Sequence, residues 1–164
     1  MDMAQLTLVV ATLLCALTAG FLFAFAVVVM PGIRALPDAD FLRSFQVMDR
    51  VIQENEPLFV LVWVGSVVAI AASVVVALGT LEGGDRLLVI LAAAVYLAGV
   101  QAPTFLVNVP LNNGLKALEV DTLDEADLRA ARAAFEARWN RWNRIRTGLA
   151  CLTTLTLLVV LQRL

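Results

Sequence analysis

The chain contains no histidine, two cysteines and one tyrosine, and only 16% of its 164 residues are charged. Each shortage excludes something. Imidazole is the commonest protein ligand for zinc, copper, non-haem iron and haem, so a chain without it predicts no tightly held metal and no cofactor of that kind. Cys15 and Cys151 both fall well inside apolar stretches, where thiols act as small packing groups and no disulfide is expected. Net charge is only −2, and in the two long polar segments ten cations are interleaved with eleven acids. That mixture makes no strong basic field, so nucleic acid is not an expected partner.

The missing charge is also patterned. No Asp, Glu, Lys or Arg occurs from Met3 to Ile33, from Pro57 to Leu81, from Leu87 to Leu115, or from Thr147 to Gln162. Apolar residues make up 61% of the chain, and mean hydropathy is +0.87. About 20 apolar residues in a helix span a ~30 Å hydrocarbon core. The sequence thus predicts an all-α membrane protein, residues 1–164 forming one domain, with spans near 5–30, 58–81, 87–109 and 145–162. The fourth stretch is short and borrows Ile145 and Leu164 at its ends. The first has no cation in Met1–Gln5 and is about twice the length of a signal's apolar region, so it reads as a retained span.

Four spans place both termini and the tight turn Glu82–Arg86 on one side, with only Arg86 and Arg163 as cations there. The other ten Lys and Arg lie in the two long loops, which predicts cytoplasmic loops, outer termini and a plasma-membrane location. The organisation looks like a two-fold repeat of span, amphipathic helix, span. Span one ends at Met30-Pro31-Gly32 and span three at Val109-Pro110-Leu111, each followed by an irregular piece. Phe41, Phe45, Met48 and Ile52 then mark one cytoplasmic-side amphipathic helix near Asp38–Asn55, begun by Asp38 or Asp40 and closed by Pro57. Leu128, Ala131, Phe135, Trp139 and Trp142 mark another near Leu123–Trp142. Such helices lie on the bilayer surface or cap the bundle.

Within the spans, Gln101, Thr104 and Asn108 share one helical face. A primary amide facing lipid is costly, so Gln101 and Asn108 are expected to point inward, either as interhelical hydrogen bonds or as the polar wall of a ligand pocket. A denser polar cluster sits at the loop-side membrane border: Asn108, Asn112 and Asn113 at the end of span three, Asn140, Asn143, Arg146 and Thr147 at the entry to span four. An arginine at that depth needs a carboxylate, a ring of carbonyls or an anionic ligand. Asp49, Glu54 and Glu56 are the candidate carboxylates. A ligand site predicts that Asn112, Asn143 and Arg146 converge beside an apolar pocket walled by Phe25, Trp142 or Phe105. Scaffolding predicts a paired Arg146 and no cavity.

Asn108-Val109-Pro110-Leu111-Asn112-Asn113 with Leu115, Arg138-Trp139, Trp142-Asn143 and Arg146-Thr147 resemble the hallmarks of a family of small four-span membrane proteins named for its anthrone oxygenase members. Gly20, Phe23, Phe25, Val29, Met30 and Pro31 resemble the family's opening motif, and Gln46 and Pro57-Leu58-Phe59 fit its first loop. Asp49 stands near where the family commonly shows Asn, and the stretch before Pro57 is longer here. The resemblance implies chemistry that some fungal members perform, oxygenation of anthrones to anthraquinones without metal or flavin. On that reading Asp49 is the base, Arg146 the cation for an oxyanion, and Asn112, Asn113 and Asn143 orient the ligand, with Gln101, Asn108 and Trp142 as further contacts. Two functions stay open: a non-catalytic binder of a lipophilic small molecule or lipid, alone, as a homo-oligomer or as a membrane-complex subunit, and a cofactor-independent oxygenase.

Overall fold

The computed structural model describes residues 2–164, which form helices and no strand. In chain order these are α1 (Met3–Arg34), α2 (Asp38–Gln53), α3 (Pro57–Thr80), α4 (Gly83–Lys116) and α5 (Glu125–Leu161). All but α2 are long and apolar enough to cross a membrane, so the architecture is the all-helical four-span one that the apolar stretches predict.

Three of the five prolines explain why α1 and α4 outrun their predicted ends. An α-helical proline lacks its N–H and its ring presses on the carbonyl four residues back. Here the residues four before Pro31, Pro103 and Pro110 are Val27, Gly99 and Leu106. Each is the centre of a five-residue π-helical turn: Phe25–Val29, Leu97–Gln101 and Thr104–Asn108. The widened turn relieves the clash, so the helix continues past the proline instead of stopping. The pieces expected to be irregular after Pro31 and Pro110 are therefore partly helical, to Arg34 and Lys116. Pro57 instead opens α3, where a missing N–H costs nothing, and Glu56 caps the helix by accepting from the Phe59 N–H at 2.7 Å.

Along most of its length the bundle is held by small side chains. Ala4, Leu8, Ala11, Cys15 and Ala19 of α1 meet Ala69, Ile70 and Ala77 of α3 and Ala150 and Leu157 of α5 in one core. Small residues let membrane helices approach closely, which matters because lipid offers no hydrophobic gain for helix–helix contact. At Gly99 the approach is closest: an added Cβ would lie 2.5 Å from Leu149 Cδ1. A second core sits at the end carrying α2, where Phe41, Leu42 and Phe45 pack on Met30, Leu115, Phe135 and Trp139.

The two halves are built differently. A break at Asn55, whose φ is 60°, separates α2 from α3. Leu123–Trp142, by contrast, contains no separate helix, because α5 begins at an Asp124 cap and runs unbroken through the fourth span. Nothing in Glu125–Leu161 is a proline or a glycine pair, so no residue there stops the helix.

Candidate functional site

The buried stripe of α5 runs Phe135, Trp139, Asn143, Arg146, Thr147 and Ala150, spacings that keep one helical face turned to the bundle. Arg146 is 3% exposed. Its Nη1 donates to Thr104 Oγ1 at 2.7 Å and its Nη2 to Asn143 Oδ1 at 3.1 Å. Asn143 Nδ2 in turn donates to the Leu22 carbonyl at 3.0 Å, tying α5 to α1. No carboxylate pairs with Arg146 among the described residues: Glu56 is occupied as a helix cap, and Asp49 bonds elsewhere. Arg146 Nε and Asn108 Oδ1 are both buried with no protein partner. A buried guanidinium without a counter-charge is costly to keep, which sets this site apart from an ordinary structural ion pair.

A second polar pole lies nearer the α2 end. Asn112 Nδ2 donates to Asp49 Oδ1 at 2.7 Å, and Asn112 Oδ1 accepts from Trp139 Nε1 at 2.8 Å, so the indole fixes the amide's orientation. Gln53 Nε2 donates to Asp49 Oδ2, and Lys116 Nζ holds Gln53 Oε1 at 2.7 Å. Burial raises the Asp49 pKa above the ordinary carboxylate range, with the Gln53 and Asn112 donors and the Lys116 charge opposing it. On its outer side Asp49 borders a polar recess shared with Lys116, Arg43 and Arg50.

Between the poles is a cavity of about 280 Å³, lined by Asp49, Asn108, Asn112, Asn143, Arg146 and Thr104, and by the rings of Phe21, Phe25, Phe45, Phe59, Trp63, Phe105 and Trp139. Trp139 and Arg146 are seven residues apart, so the poles are separated by on the order of 10 Å along α5. Phe59 stacks on Trp63 with a 21° interplanar angle, and Phe25 tilts against Trp139 at 5.7 Å. The volume lies near the lower end of small-molecule sites, which run from roughly 300 Å³ upward.

The structure thus brings Asp49, Asn108, Asn112, Asn143 and Arg146 to one cavity, although Asn112 reaches Asp49 and not Arg146. Gln101, Asn113 and Trp142 are not on its wall. Gln101 is buried with both amide atoms unpartnered. The π-helical turn that ends at Gln101 and the next one at Thr104 shift its register from Asn108. Asn113 is exposed and meets Gln53 at a long 3.4 Å. Trp142 lies half-buried beside the stripe, and Trp139 takes the indole position in the wall. The site also takes in Thr104, named above only for its helical face, Phe59 and Trp139, named only as motif residues, and Gln53 and Trp63, which no sequence pattern marks. Thr104, Asn108 and Asn112 recur at intervals of four, which is the signal that identifies Thr104.

A four-helix membrane bundle enclosing one aromatic-walled cavity, with a carboxylate at one pole and an unpaired arginine at the other, is the class that the fold and geometry define. The family model described as anthrone oxygenase matches residues 58–156, more than half of the chain, and the chain belongs to that family. The match covers α3, α4 and most of α5, while α1 and α2, which carry Phe21, Phe25 and Asp49, lie before it. No curated protein and no solved structure matches the chain.

Proposed function

We propose that the cavity takes up a flat lipophilic aromatic ketone of the anthrone type and that the protein oxygenates it with dioxygen. The observation that carries this reading is the pairing, across one ring-lined cavity, of the Asp49 carboxylate with the uncompensated Arg146 guanidinium. The methylene opposite an anthrone carbonyl is acidic for carbon, because losing its proton leaves an aromatic oxyanion. Asp49 takes that proton, and Arg146 with Asn143 stabilises the charge that develops on oxygen. The electron-rich anion passes one electron to dioxygen, and the resulting radical pair joins to a carbon-bound peroxide, which regains the proton from Asp49. Loss of water across the C–H and O–O bonds leaves the second carbonyl, so one methylene and one O₂ give one ketone and one water.

A second reading, ligand binding without turnover, is favoured by the engagement of both Asp49 oxygens with amide donors, a holding arrangement as well as a catalytic one. Oxygen uptake separates the two. Purified protein in lipid nanodiscs supplied with anthrone should consume O₂ and form anthraquinone in equal amounts, and Asp49→Asn should stop this while anthrone still binds. Binding with no uptake above the protein-free rate decides for the binder. We further propose a plasma-membrane location with the α2 end in the cytoplasm; the ten cations at that end support the orientation.

A further inference from the structure

We infer that the cavity opens sideways into the bilayer, through a slit between α3 and α4, and that its ligand arrives from the lipid leaflet and not from water. The inference rests on the reading of the cavity as a ligand site and concerns how that site is reached. Helix α3 packs against α1 along its length and against α4 mainly over Gly83–Tyr96, the half next to the tight turn. Toward the α2 end the two helices part, and both of them line the cavity: Phe59, Val60, Trp63 and Val64 from α3, Phe105 and Val109 from α4. Two of these wall residues are also outer-surface residues. Val64 is 55% exposed and Phe105 is 61% exposed, one on each side of the gap. A side chain that lines a cavity and faces outward marks where that cavity meets the surroundings.

Those surroundings are hydrocarbon. Both flanks lie in stretches without a single charged residue, Pro57–Leu81 and Leu87–Leu115, and their outer neighbours Leu61 and Leu106 are exposed apolar side chains. The water-facing end is closed by Phe45, Asp49 and Trp139, all buried, with α2 laid across it. Asn55, exposed in the break between α2 and α3, also lines the cavity, so the slit runs from the hydrocarbon up to the membrane border there. A molecule entering this way is already dissolved among acyl chains, so the ligand class is a small apolar aromatic that partitions into lipid. A charged or sugar-bearing conjugate is excluded at the mouth.

Trp139 reports on the slit, because it is 5% exposed and lines the cavity. A Trp63→Phe, Trp142→Phe protein keeps it as the single tryptophan. In phosphatidylcholine vesicles whose acyl chains are brominated close to the headgroup, its emission should drop relative to unbrominated vesicles. Val64→Phe on that background should restore the emission by filling the mouth, and Phe105→Ala should deepen the loss by widening it. Emission unaffected by brominated lipid, or quenching that neither substitution alters, overturns the inference. Quenching by aqueous iodide without any by brominated lipid overturns it as well and places the mouth on the water side. Because the measurement needs no turnover, a catalytically inert protein can still show the slit, and an active one can lack it.

Discussion

An arginine buried in a membrane bundle is ordinarily met by a carboxylate, since leaving the charge alone costs several kcal/mol. Arg146 is met by a threonine hydroxyl and an asparagine carbonyl oxygen, both neutral, and the nearest cavity carboxylate, Asp49, spends its oxygens on Gln53 and Asn112. In the proposed function, an oxyanion-forming ligand supplies the missing negative charge. Replacing Arg146 with Lys keeps the charge but not the planar fork. Turnover of anthrone should fall by on the order of 10²-fold, as for loss of one oxyanion donor, while the unfolding temperature in detergent changes little. For Asp49 the pH sign follows from burial, which raises its pKa. A base must be unprotonated, so the rate should rise with pH through a limb lying above the usual carboxylate range near 4, and Asp49→Asn should abolish the limb. The same shift means that folding stability falls as pH rises between the ordinary and the raised value, because the folded state there binds the extra proton. A pH–rate profile and a pH series of unfolding temperatures check the two signs separately.

At the scale of elements, the spans were legible because charge-free length is a crude and robust signal, and α2 was legible through Phe41, Phe45 and Ile52. What was not legible was the local geometry at Pro31, Pro103 and Pro110. A proline reads as a helix end unless the preceding turn widens, and that widening depends on neighbouring helices supporting the freed backbone groups. The consequence reaches the site: the turn Thr104–Asn108 delivers Thr104, Phe105 and Asn108 to the cavity, while the turn Leu97–Gln101 leaves Gln101 off it. Gly99 sits at the centre of that second turn, where Leu149 of α5 presses close. Gly99→Ala should therefore destabilise the bundle by about 1–3 kcal/mol, the usual range for overpacking, and Leu149→Ala should recover part of the loss. Thermal unfolding of the single and double variants in one detergent measures the coupling.

For the whole molecule, sequence carried the class and the family resemblance, while the site emerged only when distant segments were brought together. Asp49, Asn112 and Trp139 are separated by 63 and 27 residues yet form one hydrogen-bonded row. No periodicity within a single helix announces such a row, and the cavity beside it is a property of four helices at once. The proposed orientation rests on charge: Arg86 and Arg163 are the only cations at the end with the tight turn. A cysteine placed at Glu82 in a protein lacking Cys151 should react with an impermeant maleimide on intact cells, and reaction only after lysis would reverse the topology.

In the proposed function this cavity holds an anthrone-type ring and ionises it between Asp49 and Arg146. The most direct test is the absorption spectrum of anthrone mixed with the lipid-embedded protein under nitrogen, where no oxygenation can follow. A red-shifted band from the bound oxyanion is expected, saturating at one ligand per chain and lost in Asp49→Asn. Anthrone that binds but keeps its neutral spectrum, or that fails to bind at all, would contradict it.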